Sequence, residues 1–389
     1  MKVAIIHFWL IAMRGGERVL ENICDLYPEA DIFTHVVDRN ALSNKLRARN
    51  IKTTFIQNLP FARRSPQKYL PLMPRALEQL DLQDYDLVIS SEAGPAKGVI
   101  TRPDAAHVCY CHSPMRYIWD QYHIYKSSAG PLTRLAMPRI AHRLRQWDLS
   151  SASRVDTFVA NSAFVAQRIK KYYRREAVVI YPPVQLDQFV RRREVDNAFL
   201  WVGQLVPYKR CDIAIGAFNK LGLPLIILGD GPEKKRLQRM AKSNIRFVDK
   251  LSFSQLCEAY SRAKAVVFTA VEDFGIVPVE AMASGRPVIA YGRGGVSESV
   301  TENVTGIFYN ESTTESLIEA VERFENWLPE FDPQAAVARA SCFAPERFAR
   351  DFLAVVDDAI AAMGQTRKTN MVSATRSLSG PRDTPRLVG

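Results

Sequence analysis

The sequence predicts an α/β protein with two doubly wound, Rossmann-like domains. At 389 residues and 47% hydrophobic content, the chain is long enough to bury two ordinary cores. Short apolar runs alternate with longer polar-apolar segments, which is typical of parallel sheets covered by helices on both faces. Two prolines in "VVIYPPVQLDQF" interrupt this alternation near residue 185. We therefore place the domain boundary there.

The predicted strands follow one another along both halves of the chain. In the first half they are "KVAIIHFWL", "ADIFTHVV", "DLVISS", "AHVCYCH" and "TFVANS". In the second half they are "AFLWVGQL", "LPLIILG", "IRFVDKL", "AVVFTA", "PVIAYG" and "GIFYN". Segments with helical periodicity separate them, so each half predicts a parallel sheet of its own.

The chain divides into four predicted parts. Residues 1–184 and 185–343 form the two Rossmann-like domains, and residues 344–363 form an amphipathic helix that we expect to pack back on the first domain. Residues 364–389 are polar, basic and nearly free of large apolar side chains. Such a composition cannot bury a core, so we predict a disordered tail.

Charge and targeting signals narrow the class of protein. Lys and Arg outnumber Asp and Glu by 52 to 41, which favours anionic partners such as phosphate groups, an acidic membrane surface or nucleic acid. The basic runs "KKYYRR" and "RRR" carry no nucleic-acid reader motif, which argues against nucleic acid. The start, "MKVAIIHFWLIAMRGG", lacks a small-residue cleavage site and is interpreted as a first strand. We therefore predict a cytoplasmic protein.

Metal and dinucleotide sites are disfavoured. The six cysteines are scattered, and Cys109 and Cys111 are too close for the usual CxxC spacing, so we predict no metal site. Asp38 ends the second predicted strand, where a dehydrogenase holds a ribose, but the G-x-G-x-x-G fingerprint is absent. The P-loop pattern is absent as well.

The first candidate site is the glycine turn in "MRGGERVLENI". Gly15 and Gly16 lie between the first strand and a helix, where backbone N–H groups approach a ligand and the helix end favours negative charge. A diphosphate suits such a site. A tight turn chosen for packing remains the alternative.

A second candidate site is the loop in "LWVGQLVPYKRCDIAI". Lys209 and Arg210 follow a predicted strand, where two cations can stabilise a leaving diphosphate without a metal ion. Solvated surface charge is the alternative for this pair. A further glycine turn, in "LPLIILGDGPEKKRL", can be purely structural.

Two glutamates in "VEDFGIVPVE" form the third candidate site. Glu272 lies on a predicted loop, and Pro278 suits the first turn of a helix that ends at Gly285, which puts Glu280 in the first helical turn. Both carboxylates can face one crevice and accept hydrogen bonds from the vicinal hydroxyls of a sugar or a ribose. An interaction of Glu280 with its own helix dipole is the alternative. His112, which ends a strand in "AHVCYCHSPMRYIWD", is either a further site residue or a structural histidine.

The stretch "EDFGIVPVEAMASGRPVIA" resembles the E-x7-E signature of the retaining glycosyltransferases of family 4. Further motifs that resemble this family occur in its order along most of the chain: "GGERV", "CHSPMRYIWD", "VANSAFVAQRI", "GQLVPYKRCDIAI" and "GGVSESVTENVTGIFY". The resemblance implies the GT-B fold, in which two Rossmann-like domains face each other across a cleft. It also implies sugar transfer from a nucleotide-sugar donor with retention of configuration and without a metal or another cofactor. The first domain would then serve the acceptor and the second the nucleotide sugar.

The resemblance also implies roles for individual residues. Glu272 would hold hydroxyls of the donor sugar, His112 would contact the sugar and the reacting centre, and Lys209 would neutralise the diphosphate. Glu280 would hold the ribose, and Ser162 would orient ligand groups. The other implied donor-binding residues are Gly15, Gly16, Gln204, Arg210, Phe274, Gly275 and Ile276, and Arg116 is a further cleft residue.

Two positions depart from the family pattern. Gln204 stands where the family usually has arginine, which removes one diphosphate cation unless Arg210 or another basic residue supplies it. Asp249 stands where a glycine is common and would alter contacts with the nucleotide base.

The form "CHSPMRYIWD" resembles bacterial mannosyltransferases that build surface polysaccharides on polyprenyl-diphosphate carriers, which implies GDP-mannose as donor. Residues 59–80 and 125–147 interleave basic and apolar side chains, as membrane-surface segments do. Ordinary basic helices with core-facing apolar residues are the alternative there. A UDP-sugar donor, a soluble acceptor and an inactive nucleotide-sugar-binding partner protein also remain open.

Overall fold

A computed structural model describes residues 1–189, 191–192, 194–249 and 251–378 of the chain. Within these residues the first domain holds a parallel sheet of seven strands, in the spatial order β3-β2-β1-β4-β5-β6-β7. The strands are β1 (Val3–His7), β2 (Asp31–Thr34), β3 (Ile51–Thr53), β4 (Leu87–Glu92), β5 (Ala106–Cys111), β6 (Thr157–Ala160) and β7 (Val178–Val179). The α-helices of this domain are α1 (Gly15–Leu26), α2 (Asn44–Arg47), α3 (Met73–Glu78), α4 (Tyr122–Ser128), α5 (Pro131–Ser151) and α6 (Ala163–Tyr173).

The second domain holds a parallel sheet of six described strands in the order β10-β9-β8-β11-β12-β13. The strands are β8 (Phe199–Val202), β9 (Leu225–Leu228), β10 (Ile245–Val248), β11 (Val266–Phe268), β12 (Val288–Tyr291) and β13 (Gly306–Tyr309). The α-helices are α7 (Cys211–Leu221), α8 (Lys234–Met240), α9 (Phe253–Arg262), α10 (Ile276–Ala283), α11 (Val296–Ser299), α12 (Thr314–Trp327) and α13 (Pro333–Ser341), and the chain continues after them into α14 (Pro345–Leu378).

Each sheet is buried on both faces because its strands are nearly continuous apolar runs. In β1, Ile5 belongs to one core cluster and Ile6 to another, so successive side chains enter cores on opposite sides of the sheet. In the second domain, Phe199 and Leu200 of β8 divide in the same way. These observations confirm the predicted fold class of two doubly wound α/β domains.

The strand order reverses at one place in each sheet. In the first sheet β1 pairs with both β2 and β4, and in the second sheet β8 pairs with both β9 and β11. Ligands of open α/β sheets bind beyond the carboxyl ends of the strands at such a switch point. The loops after β1, β8 and β11 are therefore the places where a site is expected.

The final helix returns to the first domain. Phe348 and Phe352 of α14 stack on each other and pack edge-on against Tyr110 of β5. Val356 belongs to the same core cluster as the first-domain strands. The two domains are thus joined both at the boundary near residue 185 and through this helix.

Three details differ from the sequence prediction. The edge strands β3 and β7 were not predicted, and they are short enough to carry little periodic signal. Helix α10 begins at Ile276, two residues before Pro278, so Glu280 lies beyond the first helical turn. Helix α14 continues past residue 363 to Leu378, whereas residues 379–389 of the predicted tail lie outside the described residues.

None of the helices within the described residues combines the length and the apolar character needed to span a bilayer.

Candidate active site

Glu272 lies on the loop between β11 and α10, and a pair of glycines holds this loop in place. The amide of Gly295 donates a hydrogen bond to the carbonyl of Glu272 at 2.9 Å. A Cβ atom at Gly295 would lie 2.2 Å from the carbonyl oxygen of Asp273, and Gly294 has a φ of 87°. Only glycine allows the two backbones to approach this closely. The position of the Glu272 carboxylate is therefore set by backbone packing.

The carboxylate of Glu272 is held between two cations. Its Oε1 atom lies 2.9 Å from Nζ of Lys209, and its Oε2 atom lies 3.4 Å from a guanidinium nitrogen of Arg116. Burial raises the pKa of Glu272, but the charges of Lys209 and Arg116 outweigh burial and hold the pKa below its ordinary value. Glu272 is therefore ionised at neutral pH.

Lys209 ends a short 3₁₀ turn that precedes α7. Its carbonyl accepts a hydrogen bond from the Thr269 hydroxyl at 2.7 Å, and the Trp201 indole N–H donates to the same hydroxyl at 3.0 Å. These contacts tie the turn to β8 and to the end of β11. Lys209 therefore reaches Glu272 from a fixed position in the second domain.

Two predicted donor-binding residues stand apart from this cluster. The guanidinium of Arg210 pairs with Asp212 at 3.1 Å and donates to the Ser312 hydroxyl at 3.1 Å, so the structure does not bring it to Glu272. Gln204 is exposed on the loop after β8. The structure therefore gives no support to the expectation that Arg210 replaces the missing cation. Arg116 is the second cation at Glu272.

Glu280 lies in α10 and has a different environment. The Tyr260 hydroxyl donates to its Oε2 atom at 2.7 Å, and Arg18 of α1 approaches its Oε1 atom at 3.4 Å. Burial raises the pKa of Glu280, and the opposing effects of Tyr260 and Arg18 do not cancel this shift. The alternative of an interaction with its own helix dipole finds no support, since the carboxylate contacts two other helices.

The two predicted glycines lie at the start of α1, directly against the second domain. A Cβ atom at Gly15 would lie 2.8 Å from Cδ1 of Ile276, the first residue of α10. The amino ends of α1 and α10 therefore meet across the cleft, and both carry partial positive charge. Two helix starts at one place suit an anion, because unpaired N–H groups point at it.

His112 lies behind Gly16, since a Cβ atom at Gly16 would be 3.8 Å from its Nε2 atom. Nε2 shares a hydrogen bond with the Ser91 hydroxyl at 2.8 Å, and that hydroxyl also lies 3.1 Å from Nδ1 of His7. Burial and the nearby His7 lower the pKa of His112 to about 3. His112 is therefore neutral and serves as a hydrogen-bonding group rather than as a cation.

The residues between the two glutamates shape the start of α10. Gly275 takes a φ of 89° and precedes the helix, a conformation that other residues rarely adopt. Phe274 is buried and packs against Tyr181 and Phe343. The Phe274 side chain therefore anchors the loop, which leaves its backbone and those of Gly275 and Ile276 as the groups that can meet a ligand.

Ser162 is fully buried at the junction of the two domains. Its hydroxyl accepts from the amide of Val165 at 3.0 Å, which caps α6, and donates to the carbonyl of Asp273 at 2.5 Å. The hydroxyl is thus used in protein contacts, so its expected role in orienting ligand groups can only be indirect.

Sequence reasoning missed a second set of residues at this junction. Asp273 accepts from Arg116 and Arg168, and Glu298 accepts from the first two amides of α6. The charge of Asp273 next to Glu272 was a signal that could have been used, but nothing in the sequence indicates that Arg168 or Glu298 would face it.

A pocket of about 240 Å³ lies beyond the carboxyl ends of β8, β9 and β10. Gly203, Gly229, Leu251, Asp230 and Asp249 are among the residues that line it. The Asp230 carboxylate accepts from the Gly231 amide at 2.8 Å, and Asp249 is paired with Lys234. Among the described residues, no group of three His, Cys, Asp or Glu side chains is arranged as metal ligands.

Two family models match consecutive parts of the chain. The model described as Glycosyltransferase Family 4 matches residues 13–188, and the model described as Glycosyl transferases group 1 matches residues 185–328. Their junction coincides with the change from the first domain to the second. Together the two matches run from the first glycine turn through the last strand of the second domain.

Curated relatives include several mannosyltransferases. The chain is 27% identical over 323 residues to the O-antigen chain mannosyltransferase C of Escherichia coli, which covers 76% of the chain and 80% of that protein. It is 31% identical over 212 residues to a GDP-mannose-dependent alpha-mannosyltransferase of Mycobacterium tuberculosis, which covers 53% of each. Two further curated glycosyltransferases are matched over only 48% of their own length. The chain thus spans about half the length of several relatives that it matches.

The fold is also similar to solved structures. HepE from Anabaena in complex with UDP superimposes with a TM-score of 0.69 at 17% identity, and the match covers 92% of this chain and 100% of that chain. At this identity the likeness concerns the fold alone.

Proposed function

The chain belongs to glycosyltransferase family 4 and has the GT-B fold, and from this premise we propose which sugar it transfers and to what. Members of this family use nucleotide-sugar donors without a metal ion. Our proposal is that the protein moves mannose from GDP-mannose to a lipid-linked oligosaccharide, with retention of configuration. The acceptor class is an oligosaccharide on polyprenyl diphosphate, used in exopolysaccharide or O-antigen synthesis.

The pairing of Glu272 with Lys209 and Arg116 is the observation on which the proposal depends most. An ionised carboxylate accepts hydrogen bonds from sugar hydroxyls. The ammonium group of Lys209 lies beside this carboxylate and can form an ion pair with a diphosphate oxygen. The amino ends of α1 and α10 add further positive potential at the same place. Sugar recognition and leaving-group stabilisation are therefore available within one cluster.

In the proposed reaction the C1–O bond to the diphosphate breaks, and the acceptor hydroxyl forms a bond to C1 on the same face of the sugar. The departing diphosphate oxygen takes the acceptor proton. The protein has to orient the two substrates and stabilise the charge that develops on the leaving group. Neutral His112 donates or accepts a hydrogen bond at the sugar, and Glu272 binds hydroxyls without attacking C1.

The pocket beyond β8, β9 and β10 supports a guanine base. Guanine presents an amino group and a ring N–H on one edge, and Asp230 and Asp249, which line the pocket, carry carboxylate oxygens that can accept from such an edge. Uracil presents a single ring N–H between two carbonyl groups, which carboxylates repel. The match to a GDP-mannose-dependent relative supports the same donor.

The donor is tested by thermal denaturation with GDP, UDP, GDP-mannose and UDP-glucose at equal concentrations. A ligand at about 100 times its Kd stabilises a protein by about 2.7 kcal/mol, so a true donor raises the melting temperature clearly. We expect GDP and GDP-mannose to raise it and the uridine compounds to have little effect. A shift with the uridine compounds alone would replace GDP-mannose by a UDP-sugar donor.

A shift with a nucleotide sugar but no turnover on any acceptor would favour the inactive nucleotide-sugar-binding partner protein, the alternative suggested by Gln204. A lack of shift with every nucleotide would mean either that the acceptor or the membrane must bind first or that the site near Gln204 no longer holds a diphosphate.

A basic and apolar surface on α5 supports the lipid-linked acceptor. The side chains of Leu132 and Leu135 are 85% and 82% exposed and lie on neighbouring positions of the helix. Arg134, Arg139 and Arg143 are exposed around them. Large apolar side chains rarely stand so far out of a soluble surface, and basic neighbours match anionic headgroups.

A second segment extends this surface. Phe61 is 71% exposed next to the exposed residues Arg63 and Arg64. Leu70 packs against the core clusters beneath both segments, so they are neighbours on the first domain. We propose that this side of the first domain lies on the inner face of the plasma membrane, where it brings the cleft to a lipid-linked acceptor.

Sedimentation with vesicles of phosphatidylglycerol tests this contact. The double variant Leu132→Ser/Leu135→Ser should lose about tenfold or more of the vesicle binding, since both apolar insertion and the basic charges contribute. Val304→Ser, which changes an exposed aliphatic residue of the second domain, is the matched control. Equal binding by both variants, or no binding by the natural protein at low salt, would favour a soluble acceptor.

A further inference from the structure

Asp273 lies between Glu272 and Phe274 and faces the other domain. It is 6% exposed, and its carboxylate meets two guanidinium groups of the first domain. Arg168 of α6 donates to its Oδ1 atom at 2.6 Å, and Arg116 donates to its Oδ2 atom. A carboxylate buried in this way is stable only while both partners are in place.

The backbone of Asp273 is engaged by the same side of the first domain. Its carbonyl accepts from the Ser162 hydroxyl, which also caps α6. The carboxylate of Glu298 accepts from the amides of Ala163 and Phe164 at 2.7 and 2.9 Å. The amino end of α6 thus receives a carboxylate from the second domain, which suits the positive end of a helix.

Two further contacts connect this junction to the reacting centre. Arg116 bridges Asp273 and Glu272, so one guanidinium serves both carboxylates. Arg168 is itself held by Asp120 at 2.6 Å and by the Ser113 hydroxyl at 2.8 Å. Ser113, Arg116 and Asp120 all lie on the loop that follows His112, so the His112 loop and the Glu272 loop are joined by ion pairs.

The charges at the junction are paired. Glu272, Asp273 and Asp120 contact Arg116, Arg168 and Lys209 in a connected set of ion pairs. Paired charges that are largely buried are held in one geometry, whereas removal of one member leaves a partner charge uncompensated. The relative position of the two domains is therefore coupled to the orientation of the Glu272 carboxylate.

From these contacts we infer that Asp273 is a positioning residue for the transfer reaction. Through Arg116 and Arg168 it fixes the distance between Glu272 in the second domain and His112 in the first. The cleft reaches its reactive geometry only when Asp273 accepts both guanidinium groups. This inference rests on the proposed function for its effect on turnover, but its effect on domain position does not depend on the donor.

The first test measures domain position without any ligand. Spin labels at Gln83→Cys in the first domain and Glu322→Cys in the second report the distance between the domains; both sites are exposed. Cys342 is changed to Ser, because the other native cysteines are buried. We call the spin-labelled protein with Asp273 intact the parent. We expect one narrow distance distribution for this parent and a distribution at least about twice as broad when Asp273→Asn is added. An unchanged distribution would overturn the inference.

The matched control is Asp196→Asn, which removes a two-bonded ion pair with Arg262 at 2.9 Å inside the second domain. This variant loses an ion pair without touching the junction, so its distance distribution should equal that of the parent. Equal broadening in both variants would mean that loss of stability, not loss of the junction, moves the domains.

The second test uses the rate of GDP release from GDP-mannose. Asp273→Asn should lower kcat about tenfold and change KM less than about twofold, because a misplaced catalytic group affects the transition state more than donor binding. Arg168→Gln should have the same effect, and the double variant should be no worse than either single variant. Additive losses, or a parallel rise in KM, would contradict a positioning role.

The outcomes of the two tests are independent, so a failure of the proposed donor can be distinguished from a failure of the inference about Asp273. If the natural protein releases no GDP from GDP-mannose, the proposed donor is wrong, while the distance measurement still decides whether Asp273 joins the domains.

Discussion

The two glutamates of the E-x7-E motif have opposite environments. Glu272 is reached by a lysine of its own domain and an arginine of the other, which lower its pKa. Glu280 is buried against Tyr260 and contacts one partly exposed arginine, Arg18, at 3.4 Å, and its pKa is raised because burial outweighs these contacts. The pKa values of the two carboxylates therefore shift in opposite directions, because Glu272 lies on a loop between charged groups and Glu280 lies within a packed helix.

From this difference in pKa we expect Glu272 to act in the transfer step and Glu280 to act in donor binding. A carboxylate that is firmly ionised beside Lys209 can respond to charge that develops during transfer. A carboxylate that shares its oxygens with a tyrosine hydroxyl is suited to a neutral partner such as a ribose. Each of the following predictions tests whether this separation holds.

The largest effect is expected from Glu272→Gln. The amide keeps the shape but removes the charge that Lys209 and Arg116 balance, so transfer should fall about 10³-fold in kcat. Steady-state GDP release from GDP-mannose measures the loss. Glu258→Gln, at an exposed position of the second domain, is the control and should retain full activity. Near-normal turnover by Glu272→Gln would mean that the charge of Glu272 is not needed for transfer, which contradicts its proposed role at the donor sugar.

A smaller effect is expected from Glu280→Gln. The amide oxygen can still accept from the Tyr260 hydroxyl, whereas the ion pair with Arg18 is lost and the proposed contact to the ribose weakens. The KM for the donor should rise about tenfold while kcat stays within about threefold. If kcat falls as far as in Glu272→Gln, the two glutamates share one function and the contrast between them is wrong.

The same pair should differ in the sign of the stability change. Glu272 has a lowered pKa, so its ionised form contributes stability above its ordinary pKa of 4.5, and this contribution is lost as pH falls through the folded value. Glu280 has a raised pKa, so its ionisation opposes folding at neutral pH. At pH 7, Glu272→Gln should therefore lower the melting temperature, and Glu280→Gln should raise it or leave it unchanged.

Thermal denaturation at pH 7 and again near pH 4 measures this difference. The gap between the melting temperatures of the two variants should narrow at the lower pH. The contribution of ionised Glu272 declines as pH falls below 4.5, and the destabilising ionisation of Glu280 is suppressed there. A constant gap would mean that packing, not charge, separates them.

The smallest effect on rate is expected from the titration of His112. Its pKa of about 3 lies below the ordinary value of 6.5, so the ring stays neutral in the folded protein throughout the neutral range. The titration of His112 should therefore change turnover by less than about twofold between pH 6 and pH 8. A rate step near pH 6.5 that disappears in His112→Gln would contradict a neutral ring.

The same shift has a consequence for stability. The unfolded chain protonates this histidine near pH 6.5 and the folded protein only near pH 3, so stability falls as pH drops through that interval.

The sequence predicted the fold through continuous apolar runs. It also indicated Glu272, Lys209 and His112 as candidate site residues through their places at strand ends, and the structure brings Lys209 to Glu272. It failed where the signal is weak or nonlocal. The edge strands β3 and β7 are too short to show a period. Arg210 pairs with the nearby Asp212 and does not reach Glu272, and the spacing of residues in the sequence does not reveal this pairing.

The junction between the domains was beyond sequence reasoning for a physical reason. Asp273 adjoins Glu272 in the chain, but its partner Arg168 and the neighbouring Glu298 are distant from it and carry ordinary surface charges when each is considered alone. Only the folded arrangement brings them together and removes them from water. Charge pairs between domains have no period and no fixed spacing, so a single sequence cannot indicate them.

The central claim is tested most directly by proton NMR of the protein mixed with GDP-mannose and no acceptor, so that water takes the place of the acceptor hydroxyl. GDP-mannose is an α-mannoside, and a retaining reaction releases α-mannose before mutarotation mixes the anomers. We expect the α-anomeric signal to appear first and to be absent with Glu272→Gln. Initial release of β-mannose, or no release from GDP-mannose under conditions that yield release from a UDP-sugar, would contradict the account.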